Sequence, residues 1–371
     1  MSTPYAKWMI DWETRLTMRD TNRIVRPFEW GLEWIKDFPG VNGDFASASQ
    51  NPERYVHELN NKLVASSDDF YSYKAPTDYR LEQRPALRFS TGTNKIPDPV
   101  EPELAEFLRF TSPICTPYPE NDLVNARWFP AKKSNGCAMV VMPQWNSDAF
   151  GHNALCQIFN WFGVSALRLS KPYHDIRKPG ELERADYAVS ANVGRTLSAA
   201  RQAVIDVRCC LDWLQAQGYK KFGVLGTSLG SCYAFIASAH DERIQVNAFN
   251  HASTYFADVV WTGQSTRHIR EGIEHAISLE SLRQSWLAIS PMAYFDNFAR
   301  WKKKSLIVYA KYDLTFLPEF SEKTVSEFKK WNLDAKVAVL PCGHYTTGET
   351  PYKYMDAWHL SSFVRSAFRA L

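Results

Sequence analysis

A serine between two glycines is the clearest chemical signal in the chain. Gly226, Ser228 and Gly230 form the pattern Gly-x-Ser-x-Gly, which follows an apolar stretch and precedes a segment with helical spacing. A sharp turn from strand to helix lifts such a serine hydroxyl out of a sheet, and side chains two residues to either side would collide. This context predicts that Ser228 is a nucleophile, and an ordinary glycine-rich turn is the alternative.

A serine nucleophile needs a base and a group that supports the base, because a serine hydroxyl alone is weakly nucleophilic. His344 ends a Pro-Cys-Gly-His stretch after a strand predicted at 336–340. Asp313 follows a strand predicted at 305–310. The chain order and the position of each residue after a strand predict His344 as base and Asp313 as supporting acid. A capping aspartate and a loop or core histidine are the alternatives.

Two further histidines are candidate residues of the substrate pocket. His251 follows a strand predicted at 244–249, which makes it the nearest competitor of His344 and a candidate residue of the substrate pocket. His174 stands in a Pro-Tyr-His-Asp stretch and is also a candidate pocket residue.

The intermediate of acyl transfer carries an oxyanion, which needs hydrogen-bond donors already in place. We expect one donor to be the backbone N–H of Leu229, the residue after the nucleophile. The second is expected from the turn at 143–147, where the N–H of Trp145 is favoured and that of Gln144 is the close alternative. A plain connection between strand and helix is the other interpretation of this turn.

The sequence predicts no metal and no cofactor. It contains neither the His-Glu-x-x-His motif of zinc hydrolases nor a Gly-x-x-x-x-Gly-Lys phosphate-binding loop. His174 and Asp175 are adjacent, and Asp148 and His152 are four residues apart. Neither pair forms a recognisable ligand set, so all four are predicted to be structural or pocket-lining.

From about residue 116 onward, strands alternate with helices, which predicts a mostly parallel α/β sheet with helices on both faces. The segment 195–217 has the clearest helical period, with apolar residues at three–four spacing. Strands are predicted at 122–130, 137–142, 164–169, 221–225, 244–249, 305–310 and 336–340, and the other helices at 151–162, 231–239, 318–331 and from about 351.

Two segments fall outside this alternation. Residues 1–115 are predicted to be an irregular, aromatic-rich extension that packs on the core or on a cap, with a loop or linker at 91–104. The catalytic domain is predicted at 116–371, with a helical insertion at about 252–297. The insertion starts at the carboxyl edge of the sheet, so it can cover the site, with Trp261 and Trp286 as candidate wall residues. The alternative is that both segments only shield the outside of the sheet.

The composition excludes several classes of protein. The 371 residues carry 45% hydrophobic content and a net charge of +3, which argues against nucleic acid as the main partner. Seven cysteines without a Cys-x-x-Cys pair suggest neither a disulfide framework nor a zinc site, and they fit a reducing compartment. No signal peptide and no apolar run of about 18 residues is visible, so a cytoplasmic protein without integral membrane contact is expected.

From about residue 116 to 371 the chain resembles the α/β-hydrolase superfamily, through the serine turn and the ordered Asp313 and His344. The turn Gln144-Trp145-Asn146 is similar to the Gly-Tyr-Asn turn of acetyl xylan esterase-like enzymes, in which the aromatic N–H helps bind the oxyanion. The common His-Gly step after the third strand is replaced here by Pro143-Gln144. The stretch at 172–175 and the long helix after it also resemble the eukaryotic group numbered eighteen in the α/β-hydrolase domain-containing series, which would shift the expected substrate toward lipids.

The resemblance implies a serine hydrolase that cleaves a carboxylic ester of a small molecule or lipid through an acyl-enzyme. Acyl transfer, peptide cleavage and carbon–carbon hydrolysis on the same scaffold are alternatives. A binding protein without activity is another, because a fold alone does not guarantee function. Neither the substrate nor the oligomeric state follows from the sequence.

Overall fold

A computed structural model describes residues 3–41, 45–86 and 103–371 of the chain. Within these residues the chain forms a nine-stranded sheet in the order β1-β2-β3-β5-β4-β6-β7-β8-β9. The first three strands and β5 pair antiparallel, and all pairs from β5 through β4 to β9 are parallel. The strands are β1 Arg80–Ala86, β2 Glu103–Thr111, β3 Leu123–Phe129, β4 Cys137–Met142, β5 Val164–Ser170, β6 Lys221–Thr227, β7 Ile244–Asn250, β8 Lys304–Ala310 and β9 Ala335–Leu340.

Helices cover both faces of this sheet and fill the segments between the parallel strands. They are α1 Pro4–Met18, α2 Phe45–Gln50, α3 Pro52–Ala65, α4 Ser67–Phe70, α5 Pro119–Asp122, α6 Asn153–Trp161, α7 Val193–Ala216, α8 Leu229–Ala239, α9 Phe256–Thr262, α10 Arg267–Ile273, α11 Leu279–Ser285, α12 Phe295–Ala299, α13 Pro318–Lys330 and α14 Tyr352–Arg369.

The side chains of the apolar central strands pack in two separate hydrophobic cores, one on each side of the sheet. In β4 every side chain is buried, and successive residues alternate between the two cores: Ala138, Val140 and Met142 face α7 and α8, whereas Met139 and Val141 face α6 and α14. This is the period of two that a strand imposes on its side chains. A strand buried on both faces needs such a continuous apolar run.

The predicted fold class is confirmed, since the sheet is mostly parallel and its helices lie on both faces. The strands and helices predicted from residue 122 onward are all present, and their ends differ from the predicted ends by a few residues at most. The prediction that residues 1–115 are irregular is wrong. Long helices form at α1 and α3, and β1 and β2 add an antiparallel edge to the sheet.

The sheet thus extends into the segment assigned to the N-terminal extension, and the domain division near residue 116 stays a prediction. Most of the loop predicted at 91–104 lies outside the described residues, and its last two residues begin β2.

The segment between β7 and β8 is helical, with α9 to α12 inside it. It packs against α3 of the N-terminal segment through a buried amide. Asn60 donates to the carbonyl of Ser285 at 2.8 Å and accepts from the N–H of Ala288 at 2.9 Å. The N-terminal residues 3–86 and the insertion therefore share a hydrogen-bonded, buried contact.

Within the ranges 3–41, 45–86 and 103–371, no helix combines the length and the apolar character needed to cross a membrane.

Candidate active site

Ser228 occupies a strained turn between β6 and α8. Its backbone has φ 57° and ψ −120°, a region that residues with a side chain rarely adopt. The flanking glycines are sterically required: a Cβ on Gly226 would lie 2.1 Å from the carbonyl oxygen of Gly230, and one on Gly230 would lie 2.3 Å from that of Met142. Hydrogen bonds hold the turn, since the N–H of Ser228 donates to the carbonyl of Asn250 at 2.7 Å. The structure thus places Ser228 at the turn that the sequence predicts.

Asp313 and His344 meet at the carboxyl ends of β8 and β9. His344 Nδ1 lies 2.9 Å from Asp313 Oδ2, and the other oxygen of Asp313 accepts from the N–H groups of Thr315 and Phe316 at 2.7 Å each. The ring of Phe316 stacks on that of His344 at 5.4 Å. These contacts fix both the carboxylate and the plane of the imidazole.

The electrostatics of this pair favour an ionised Asp313 and a basic His344. Burial acts against the charge of Asp313, but the neighbouring imidazoles lower the pKa of its carboxyl overall. Burial alone would lower the pKa of His344, and the Asp313 carboxylate overcomes this so that the pKa is raised. His344 is therefore a stronger proton acceptor than an ordinary histidine.

His251 makes a second bond to the same carboxylate oxygen, which the sequence analysis missed. Its Nδ1 lies 2.9 Å from Asp313 Oδ2, and its ring centroid lies 4.5 Å from that of His344. Burial and the adjacent His344 lower the pKa of His251, so it is held neutral with its Nδ1 proton on Asp313. The position of His251 directly after β7, the neighbour of β8 in the sheet, is the signal that could have revealed this contact.

Glu13 of α1 also reaches the site and was not predicted. Its carboxylate is fully buried and accepts from the N–H of Tyr345 at 2.8 Å, and from the N–H and hydroxyl of Thr346 at 2.9 and 3.0 Å. A Cβ on Gly343 would lie 2.4 Å from this carboxylate, so the glycine before His344 permits the approach. Burial raises the pKa of Glu13 in spite of these bonds. An N-terminal helix thereby holds the loop that carries His344.

The turn at 143–147 is fixed by two buried side chains from the loop after β5. Lys171 Nζ donates to the carbonyl of Gln144 at 3.0 Å, and the N–H of Asn146 donates to His174 Nε2 at 3.2 Å. His174 Nδ1 in turn lies 2.8 Å from the carbonyl oxygen of Pro172. Burial lowers the pKa of His174, so its ring is neutral and accepts through Nε2. The N–H of Asn146 is therefore occupied.

The N–H groups of Leu229, Gln144 and Trp145 remain without a hydrogen-bond partner among the residues that the structure describes. The Trp145 side chain is itself anchored, because its Nε1 donates to the carbonyl of Ala185 at 3.0 Å and its ring stacks on His268. Leu229 at the start of α8 and the 143–147 turn both line one cavity with Ser228 and His344. The geometry thus leaves these donors available for an oxyanion.

A cavity of ≈ 1390 Å³ lies over Ser228, at or above the upper end of the range of about 300–1,000 Å³ for ligand pockets. His174 and His251 both line it, whereas Asp313 lies behind the histidines. Its apolar wall comes from α6, α8, α9 and α14, and includes Leu155, Ile158, Leu229, Val259, Val260 and Leu360. The cavity therefore suits a substrate with a sizeable apolar part.

Trp261 and Trp286 do not line this cavity, and their assignment as its wall is corrected. Trp286 is fully buried, its Nε1 donates to the carbonyl of Val193 at 3.2 Å, and its ring packs on Phe256. Trp261 is half-buried and packs beside the Arg270 guanidinium. The insertion contributes to the cavity wall through smaller residues of α9, whereas its two tryptophans pack against other residues.

The cluster of His251, Asp313 and His344 is the group of potential metal ligands found in the described part of the chain, with ligand atoms within 4.8 Å of one another. The Nδ1 atoms of both histidines lie at hydrogen-bond distance from the same Asp313 oxygen, as expected when a proton lies between each pair of atoms. A zinc ion would instead lie between the ligand atoms, at about 2.0–2.2 Å from each nitrogen or oxygen.

The sequence matches no known protein-family profile, and a comparison with curated proteins finds no match. Solved structures do match. Acylaminoacyl peptidase from Pyrococcus horikoshii aligns with 79% of this chain at 11% identity and a TM-score of 0.55, although the match spans only 48% of that peptidase. Acetyl xylan esterase 1 from Thermoanaerobacterium sp. aligns over its full length (100%) with 92% of this chain, at 14% identity and a TM-score of 0.55.

An esterase from Pyrococcus furiosus aligns over 99% of its length with 80% of this chain, at 13% identity and a TM-score of 0.50. The comparisons do not support the closer resemblance to the group numbered eighteen. At these identities the likeness concerns the fold, and all three neighbours are hydrolases built on the same sheet. The chain therefore has the α/β-hydrolase fold.

Proposed function

We propose that the protein is a serine hydrolase that cleaves a carboxylic ester through an acyl-enzyme. The observation that carries this proposal is the arrangement of Ser228, Asp313 and His344 after the carboxyl ends of β6, β8 and β9, with the serine in a strained turn and the histidine bonded to a buried carboxylate. Strain and a pKa shifted by a specific partner concentrate at functional sites. The names of the structural neighbours, two of them esterases, support the same reaction class.

In the proposed reaction His344 takes the Ser228 proton as the serine oxygen attacks the ester carbonyl. The oxyanion that forms is stabilised by the free N–H of Leu229 and by that of Trp145 or Gln144. His344 then gives its proton to the departing alcohol, which leaves the acyl group on Ser228. Water, activated by His344 in the same way, releases the acid and restores the serine.

His344 rather than His251 is proposed as the base. The raised pKa of His344 suits a proton acceptor, whereas burial keeps His251 neutral and a poor one. His251 instead donates a second hydrogen bond that keeps Asp313 ionised and in place.

Acyl transfer to an acceptor other than water remains the second candidate function, because the cavity is large enough to hold such an acceptor. The cytoplasmic location stays a prediction from the sequence.

Turnover of a p-nitrophenyl ester series tests this proposal. Ser228→Ala should lower kcat by roughly four to six orders of magnitude with little effect on folding. The exposed Ser366→Ala on α14 serves as a matched control and should keep wild-type rates. His344→Ala should be as severe as Ser228→Ala, and His251→Ala clearly milder. Substantial activity in Ser228→Ala would overturn the nucleophile, and the reverse order of the two histidine variants would overturn the base.

A further inference from the structure

A carboxyl group unrelated to the triad faces the same cavity. Asp356, in the second turn of α14, lines the cavity with Asn250, whose backbone carbonyl accepts from the N–H of Ser228. Asn250 Nδ2 lies 3.1 and 3.0 Å from the two oxygens of Asp356. This carboxyl group therefore lies close to the reacting serine, and the reaction proposed above does not use it.

Asp356 is partly buried and has no cationic partner among the described residues. No basic side chain of the described residues forms an ion pair with it. Lys353, one turn earlier, also lines the cavity, but its Nζ lies 5.3 Å from the ring centre of Tyr354. Burial raises the pKa of Asp356 to about 7, and the single amide donor from Asn250 offsets only part of this. A partly buried carboxylate is costly unless it is paired, so a positive group from outside would stabilise it.

The neighbouring acceptor points to the same kind of ligand. Asn250 is 1% exposed and its Oδ1 has no hydrogen-bond partner among the described residues, so it is an orphaned acceptor beside a carboxylate that still has free lone pairs. A primary ammonium brings three donors and no acceptor. A hydroxyl brings only one donor and so can satisfy only one of these acceptors.

The walls around Asp356 suit the stem of such a group. Ala357 and Leu360 of α14, and Ala154, Leu155 and Ile158 of α6, the helix that contacts α14, line the same cavity. An alkyl chain would therefore be buried against apolar residues while its charged end meets the carboxylate. This is the arrangement that a flexible alkylammonium prefers, with an apolar stem and a polar head.

We propose that Asp356 and Asn250 form a recognition subsite for a primary ammonium group on an alkyl stem, carried by the ester substrate. The identification of the ligand as a substrate rests on the proposed function. The binding of the ammonium group does not depend on turnover.

Calorimetric titration with n-butylammonium, 1-butanol and butyltrimethylammonium tests the subsite on the intact protein at about pH 8, where the Asp356 carboxyl is mostly ionised. Wild type should bind n-butylammonium at least about tenfold more tightly than 1-butanol, since hydrogen bonds to charged groups are the strong ones. It should also prefer n-butylammonium to butyltrimethylammonium, which has no N–H. Equal affinity for all three probes in wild type would overturn the proposal without any variant.

Substitutions locate the effect. Asp356→Asn should abolish the preference for the ammonium, and Glu349→Gln, at another acid lining the same cavity, should retain it. Loss of the preference in Glu349→Gln with retention in Asp356→Asn would place the selectivity elsewhere. Ser228→Ala should bind as wild type does, so a protein that binds the ammonium but cleaves no ester would refute the proposed function alone. An active esterase without ammonium preference would refute the subsite alone.

Discussion

Removal of the Glu13 carboxylate probes how far the N-terminal helix is part of the site. Glu13→Ala leaves the buried N–H of Thr346 and the partly buried N–H of Tyr345 without their acceptor. An unsatisfied buried donor costs about 1–3 kcal/mol and a partly buried one costs less, so the unfolding free energy should fall by about 1–4 kcal/mol. This is a large share of the roughly 5–15 kcal/mol that holds a typical protein folded.

The same change should lower catalysis in the molecules that remain folded. The two N–H groups follow His344 directly, so the loop that carries the proposed base loses its fixed position. A misplacement of about 1 Å at such a group costs on the order of 100-fold in rate. We therefore expect kcat to fall by about 10- to 100-fold while KM changes little, because Glu13 does not line the cavity.

Denaturant unfolding and steady-state kinetics on the same preparations measure both effects. Asp11→Ala is the matched control, because Asp11 is an exposed acid on the same helix, and it should stay within about 0.5 kcal/mol of wild type. Glu13→Gln keeps the shape and one acceptor, and should fall between wild type and Glu13→Ala. Wild-type stability in Glu13→Ala would refute the hydrogen-bond argument. Lost stability with unchanged kcat would show that the helix supports the fold but does not position His344.

Three further predictions follow from the site. Asp313→Asn should keep the fold but lower kcat by roughly 10⁴, because the amide cannot hold the Nδ1 protons of His344 and His251 as the carboxylate does; a near wild-type rate would show that another group supports the base. The acylation rate should fall with decreasing pH as His344 becomes protonated, and because Asp313 raises the pKa of His344, single-turnover rates should show this limb above the ordinary histidine value of about 6.5; a limb below that value would contradict the electrostatic argument. Trp286→Ala should lower the unfolding free energy by about 3–5 kcal/mol, and Trp261→Ala by less, with unchanged preference for acyl chain length; a shift in kcat/KM across an ester series would return these tryptophans to the pocket wall.

Local patterns were sufficient to predict the core of the fold. The buried strands appear in the sequence as continuous apolar runs, and α7 appears as a helical period, because each pattern reflects burial of that segment alone. The turn around Ser228 was predictable for the same reason, because a Cβ at either flanking glycine would clash with backbone atoms in or next to the turn. Asp313 and His344 could be selected because parallel strands bring their carboxyl ends to one edge of the sheet.

Contacts between distant segments could not be predicted in this way. Glu13 and Tyr345 are separated by 332 positions, and nothing near Glu13 marks it as buried. The tryptophans of the insertion were expected at the pocket because they are large and apolar. In the structure Trp286 fills the contact between the insertion and α7. A bulky apolar residue satisfies burial equally well in either place, so only the packing of the whole chain decides between them.

Mass spectrometry of the protein after reaction with a fluorophosphonate tests most directly whether Ser228 is the nucleophile. We expect one adduct per chain, on the peptide that contains Ser228, in wild type and in Ser366→Ala. Ser228→Ala should form no adduct, and His344→Ala should form it far more slowly. An adduct on another serine, or equal labelling of Ser228→Ala, would contradict the assignment of Ser228.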